Sequence, residues 1–151
     1  MRRYKLSILA AMSALWLPAA LADEEIETAP EERTLTVSFI GAPSQDGVMM
    51  IAVFDNEEDF LKNAVQYQNV AIDTAGAGQA VFLSLAKTQY AVSIIHDEDE
   101  NGKLSLGFLG IPKEKYGFSN GAKGRFGPPD YEDAVIDIVE TASIEISLGG
   151  D

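Results

Sequence analysis

From Thr34 onward the apolar residues of this chain recur at every second position, and that period limits what the chain can fold into more than any other feature. Leu35, Val37 and Phe39 alternate with Thr36 and Ser38. Val48 to Phe54 is apolar throughout and reads as a buried strand. Val70 and Ile72 mark a short strand, and Val81, Leu83 and Leu85 alternate with Phe82 and Ser84. Tyr90, Val92 and Ile94 line one face of a further strand, with Ala91, Ser93 and Ile95 on the other. Ile136 and Ile138 flank Asp137, and Ile144, Ile146 and Leu148 alternate with Glu145 and Ser147. About seven short strands separated by turn residues predict an all-β domain, an immunoglobulin-like or transthyretin-like β-sandwich. One short helix is expected at Asn56–Asn63, capped by Asn56 and favoured by Glu57, Glu58 and Asp59 at its positive end. Tyr90 enters its strand just after a turn, which leaves two structural readings: a tyrosine corner, whose hydroxyl bonds back to turn backbone in Greek-key sandwiches, or an ordinary core tyrosine.

Ahead of the alternating region the pattern is different. Arg2, Arg3 and Lys5 are followed by an uncharged run from Leu6 to Leu17, then Pro18 and Ala20-Leu21-Ala22. That is the layout of a signal peptide over residues 1–22, and the apolar run is short of the ~20 residues a membrane span needs. Residues 23–33 are acidic around Pro30, with Ile26 the lone large apolar residue, and are expected to be a disordered linker. The sandwich domain then covers residues 34–149. Cleavage after Ala22 leaves 129 of the 151 residues, enough for one domain with its own core. The expected location is periplasmic or secreted.

Charge and composition exclude several classes. The whole chain carries −13, and loss of the leader's three bases leaves eight bases against twenty-four acids, or −16. Such a surface disfavours nucleic acid and anionic lipid and favours cations and basic partners. Cysteine is absent, which removes disulfides, thiol catalysis and cysteine-type zinc sites. Trp16 lies in the leader, so a sugar-binding platform would have to use Tyr67, Tyr116 or Tyr131. Once the leader is removed, no membrane insertion is expected.

The densest cluster of chemistry is His96-Asp97-Glu98-Asp99-Glu100-Asn101-Gly102-Lys103-Leu104. Asp97, Asp99 and Asn101 occupy positions one, three and five of a D-x-D-x-N-G calcium loop, with Gly102 at the sharp turn. Lys103 would offer its carbonyl at position seven and Ser105 its hydroxyl at position nine. Position twelve, which should be a bidentate Glu, is Phe108, and a strand rather than a helix leads in, so an EF-hand is excluded. A looser calcium site needs a carboxylate from elsewhere, with Glu114, Asp130, Glu132 and Asp133 as candidates. Otherwise the stretch is a solvated acidic hairpin tip. His96 is the only histidine, at the end of its strand, and fits the rim of a core better than a catalytic role. Gly117-Phe118-Ser119-Asn120-Gly121 matches G-x-S-x-G, but the histidine precedes the serine and no helix pattern follows, against a nucleophile elbow. Gly76-Ala77-Gly78 has neither the helix nor the lysine of a phosphate loop.

Taken with the acidic stretch, Gly110-Ile111-Pro112-Lys113-Glu114-Lys115-Tyr116-Gly117-Phe118-Ser119-Asn120 and Gly127-Pro128-Pro129-Asp130-Tyr131-Glu132-Asp133-Ala134 resemble the motifs of the DUF2141 family. Gly47-Val48 through Val53-Phe54, followed by Phe60, fits the same pattern. The resemblance runs from about Leu35 to Leu148. It implies export and a β-sandwich-like domain, and no activity, substrate or catalytic residue. Family members commonly carry an Asp and then an Asn after the lysine–leucine pair, where this chain has Ser105 and Gly107, which implies a weaker cation site.

The leading expectation is an exported, non-enzymatic binding module for a cation, small molecule or envelope protein. Its acidic turn and the Gly110–Asp133 segment are expected at one rim. The alternatives are a small periplasmic hydrolase using His96 with Asp97, Asp99 or Glu114, and a structural envelope protein.

Overall fold

The computed structural model describes residues 32–139 and 141–149, so the leader and most of the acidic linker lie outside the described residues. Strands β1 (Arg33–Ile40), β2 (Val48–Phe54), β3 (Gln66–Val70), β4 (Gly78–Leu85) and β5 (Gln89–Asp97) follow one another. Then come β6 (Tyr116–Phe118), a four-residue helix α1 (Tyr131–Ala134), β7 (Val135–Asp137) and β8 (Thr141–Ser147). Arg33, expected at the end of the linker, already belongs to β1.

The strands form two sheets, β4-β1-β8 and β3-β2-β5-β6, with β7 paired to β5. β1 is antiparallel to β4 and parallel to β8. An immunoglobulin sandwich puts its first, second, fourth and fifth strands in one sheet. Here the first and fourth are separated from the second and fifth, so the all-β sandwich departs from the immunoglobulin arrangement.

Alternation explains the layers. Leu35, Val37 and Phe39 of β1 face Met49, Ile51 and Val53 of β2 and Tyr90, Val92 and Ile94 of β5 across one buried core. Each such side chain stabilises the fold by roughly 1.5–3 kcal/mol relative to exposure, so a chain without cysteine can hold its sheets together. The outer face of β5 is covered too. Ala91 packs with Phe54, Phe60, Phe118 and Ala134 in a second apolar cluster.

Three expectations shift. In β4 the inward residues are Ala80, Phe82 and Leu85, while Val81 and Leu83 face out. Ser84 adopts φ 57° and the register with β1 jumps, Arg33 pairing with Leu85 but Leu35 with Phe82. This bulge reverses the parity of the strand. β3 spans the polar stretch Gln66–Val70, so it includes the expected Val70 but stops short of Ile72. Its Gln66 and Gln68 amides donate to the carbonyls of Leu83 (2.8 Å) and Val81 (2.6 Å), joining the edges of the two sheets. No helix forms at Asn56–Asn63. Asn56 Oδ1 does accept the Asp59 N–H (2.9 Å), and Lys62 and Asn63 donate to the Asp59 carbonyl, but Leu61 turns to φ 59° and ends the path as a turn. The short helix is α1 instead.

Of the two readings of Tyr90, the structure has the corner: the Lys87 N–H donates to its hydroxyl at 2.8 Å. Beyond β5 the chain leaves the sheet from Glu98 to Lys115 and returns as β6. Ser93–Ile95 of β5 pair with β6, and Gln89–Ala91 pair with β7 on the same edge. Val92 falls in the gap between them, and its N–H is taken by Ser119 Oγ at 2.9 Å.

Candidate cation site in the turn after β5

β5 ends in His96 and Asp97, which enter the turn with their side chains committed. His96 is wholly buried, and its Nε2 bonds the Asp46 carbonyl at 2.8 Å. That contact makes Nε2 the protonated nitrogen, because a carbonyl only accepts. Nδ1 lies 3.5 Å from Glu98 Oε1 without a hydrogen bond. The ring has no surface for a substrate to reach, which removes the geometric basis of a His96 hydrolase. Asp46, whose carbonyl receives this end of β5, was not singled out from the sequence, and Gly47 entered only as the first residue of the Gly47–Phe54 family pattern.

Asp97 is buried and folds the turn around itself. Its Oδ1 accepts the Asn101 N–H (3.0 Å) and its Oδ2 the Gly102 N–H (2.8 Å). Glu100 and Gly102 take left-handed backbone, φ 54° and 76°, which curls the loop back toward Asp97. Asp99 Oδ1 accepts the Asn101 N–H (3.2 Å), and Asp99 Oδ2 accepts the Ser105 hydroxyl (3.2 Å). Asn101 donates its amide to Ser105 Oγ (2.6 Å), and its Oδ1 accepts the Lys103 N–H (3.0 Å). The side chain of Asn101 holds the Asp99 carboxyl below the ordinary value of 3.8, with burial opposing and the Ser105 hydroxyl assisting. Lys103 is exposed.

Glu114 closes the arrangement from the far side of the excursion. It is buried, and its two oxygens accept the Glu98 N–H (3.1 Å) and the Ser105 N–H (2.7 Å). Carboxylate oxygens of Asp97, Asp99 and Glu114 thereby lie within 4.8 Å of one another. Of the four carboxylates considered for completing the shell, Glu114 is the one brought in. Asp130, at the N-cap of α1, and Glu132 and Asp133, within it, are exposed, and the adjoining β7 pairs with Gln89–Ala91. Ala91 and Asp97 are six positions apart along β5, about 20 Å at ~3.3 Å per residue. The segment from Gly110 to Asp133 therefore does not share one rim. It starts at the acidic turn and travels along β5 to the opposite end.

Ser119 is likewise structural. It is 1% exposed, accepts the Val92 N–H and donates to the Ala134 carbonyl. A shallow depression lined by Tyr116, Gly117, Lys123 and Gly149 includes neither it nor His96.

Fold and site together define a two-sheet all-β sandwich with a carboxylate cluster in the turn after its fifth strand. The chain belongs to the DUF2141 family, described as an uncharacterized protein conserved in bacteria, whose model matches residues 37–147. The match takes in all three clustered carboxylates. No curated protein and no solved structure matches the chain.

Proposed function

We propose that the protein is an exported, non-enzymatic binding module of the bacterial envelope whose acidic turn takes up calcium. The observation that carries this reading is the convergence of Asp97, Asp99 and Glu114, two of them buried, to within 4.8 Å. Three carboxylates so close repel one another, and a divalent cation relieves that repulsion. Each carboxylate oxygen has about two lone pairs, so the hydrogen bonds that shape the turn leave acceptor capacity on every one. Calcium takes 6–8 oxygens at about 2.3–2.6 Å. Asn101, the Lys103 carbonyl and Ser105 supply the remaining protein oxygens of the turn, and water the rest. A hydroxyl at Ser105 in place of a carboxylate makes the site weak, in the ~10⁻⁴–10⁻³ M range that serves outside the cytoplasm.

The leader pattern of residues 1–22 supports export, to the periplasm or beyond. The structural engagement of His96 and Ser119 supports a binding role over catalysis. The test is calcium titration followed by thermal melting. At about ten times the weaker limit of that range the melting temperature should rise, since binding to the folded state alone stabilises it. Asp99→Ala should abolish the rise without unfolding the protein, because Asp99 is exposed and Asp97 and Glu114 still hold the backbone. An unmoved melting temperature in the parent protein rejects the cation site.

A further inference from the structure

The acidic turn leads into a narrow hairpin. The Lys113 N–H donates to the Ser105 carbonyl (2.8 Å), Leu106 bridges to Pro112, and the Gly107 N–H donates to the Ile111 carbonyl (2.6 Å). At the tip, Leu109 and Gly110 take left-handed backbone in succession, φ 62° and 75°. The outcome is a projecting apolar end. Phe108 is 86% exposed and Leu109 81%, with Leu106 and Ile111 each more than half exposed. Scattered exposed apolar residues are ordinary, but four on one short tip mark an interaction site.

The charge around this tip differs from that of the rest of the molecule. Across the hairpin, from Lys103 to Lys115, the chain carries Lys103, Lys113 and Lys115 against one acid, Glu114, while the chain from Asp23 onward carries −16. The Lys113 side chain runs along the hairpin beside Gly107, its carbons 3.4–3.5 Å from where a β-carbon there would sit. We propose that this tip docks the protein on a phospholipid surface, with Phe108 and Leu109 entering the boundary between headgroups and acyl chains and Lys103 and Lys113 meeting lipid phosphates.

Shape and charge select this occupant. A convex apolar wedge needs a fluid medium that opens around it, and the bilayer boundary is one. Lysines beside an apolar wedge place their ammonium groups at phosphate level. The net negative charge opposes adsorption of the molecule as a whole, but charges farther than a Debye length of about 8–10 Å are screened from the surface. Glu98, Asp99 and Glu100 at the base of the hairpin work against docking, so the apolar tip carries the affinity. The contact is peripheral: no helix among the described residues is long and apolar enough to cross a membrane.

The proposal extends beyond the cation reading and is tested apart from it. Both sheets lie between Arg33 and Ser147, so the chain from Asp23 onward holds the whole fold and lacks the apolar leader. This protein is sedimented with vesicles of phosphatidylethanolamine and phosphatidylglycerol, once with calcium and once with chelator. Co-sedimentation in either condition is expected. The double variant Phe108→Ser/Leu109→Ser should lose about tenfold or more in partitioning. Phe126→Ser, which removes an exposed ring outside the hairpin, should not. Lys103→Gln/Lys113→Gln should bind less and lose salt dependence. Circular dichroism checks that the variants, all on exposed side chains, keep the fold. Failure to sediment in both conditions, or equal binding by the tip variant, overturns the proposal. So does a parent dimer that Phe108→Ser/Leu109→Ser converts to monomer while vesicles go unbound, because a second copy then covers the tip. Binding in chelator upholds the docking whatever the fate of the calcium site.

Discussion

Gly47 lies so close to the end of β5 that a β-carbon on it would stand 1.9 Å from the Asp97 carbonyl oxygen. The contact pins the start of β2 against the entrance to the acidic turn. Gly47 also holds φ 66°, a region that strains any other residue. Gly47→Ala should therefore cost about 2–4 kcal/mol by combining overpacking with backbone strain. Urea unfolding measures the cost. A variant as stable as the parent would mean that the two strands separate freely there and do not brace the turn.

Ser119 fills the break in the sheet edge between β6 and β7. In Ser119→Ala the buried Val92 N–H loses its acceptor and the Ala134 carbonyl loses a donor. The expected loss is about 1–3 kcal/mol, the range for stranding a buried polar group. The same burial predicts that a fluorophosphonate reagent leaves Ser119 unlabelled in the folded protein. Stoichiometric labelling would restore the nucleophile reading.

Asp55 and Lys87 form an ion pair at 2.7 Å that ties the turn after β2 to the corner before β5. The hydrogen bond from Lys87 holds the Asp55 carboxyl below its ordinary 3.8, and the bond to Asp55 raises the Lys87 ammonium above 10.5. A depressed carboxylate contributes stability that is complete above its unfolded value and is lost as the pH falls through the folded one. A raised ammonium contributes below its unfolded value and loses that contribution as the pH rises through the folded one. The pair thus supports the fold across the neutral range and fades at both ends. Lys87 is half exposed, so the effect is small. Melting curves of the parent and Asp55→Asn should stay apart above the ordinary carboxylate value and converge as the pH falls below it, through the lowered value of the folded protein. A constant gap between them contradicts the assignment.

Tyr90→Phe keeps the buried ring and removes the acceptor of the Lys87 N–H. The loss should be about 0.5–1.5 kcal/mol, the worth of one intramolecular hydrogen bond. A shift in the urea midpoint with an unchanged denaturant slope is the expected readout.

Much of this architecture was legible because it is written in local patterns. The alternation of β1 and β5 sorts their inward and outward residues correctly, and the position of Tyr90 after a turn foretells its hydrogen bond. The sandwich follows from the count and spacing of such segments. What escaped depends on partners distant in sequence. β3 is polar because it is an edge strand, and its glutamines make sense only beside β4. The inward face of β4 is reversed by a single backbone angle at Ser84, which no apolar pattern encodes. The cap at Asn56 is real, but a left-handed Leu61 cuts short the helix it would start. In the site, Asp97 and Asp99 stand out through their spacing. Glu114 was one of four equal candidates, because the choice rests on the path of an excursion that returns it beneath Ser105.

The parallel pairing of β1 with β8, from Thr34 beside Thr141 to Ile40 beside Ser147, joins the beginning of the domain to its end. The central strand of that sheet therefore waits for the last segment to emerge from the ribosome before its second edge is satisfied. Contacts so far apart in sequence make for slow folding. Closure of that sheet is thus the step that must wait for the whole domain, whatever has already formed between β2 and β5.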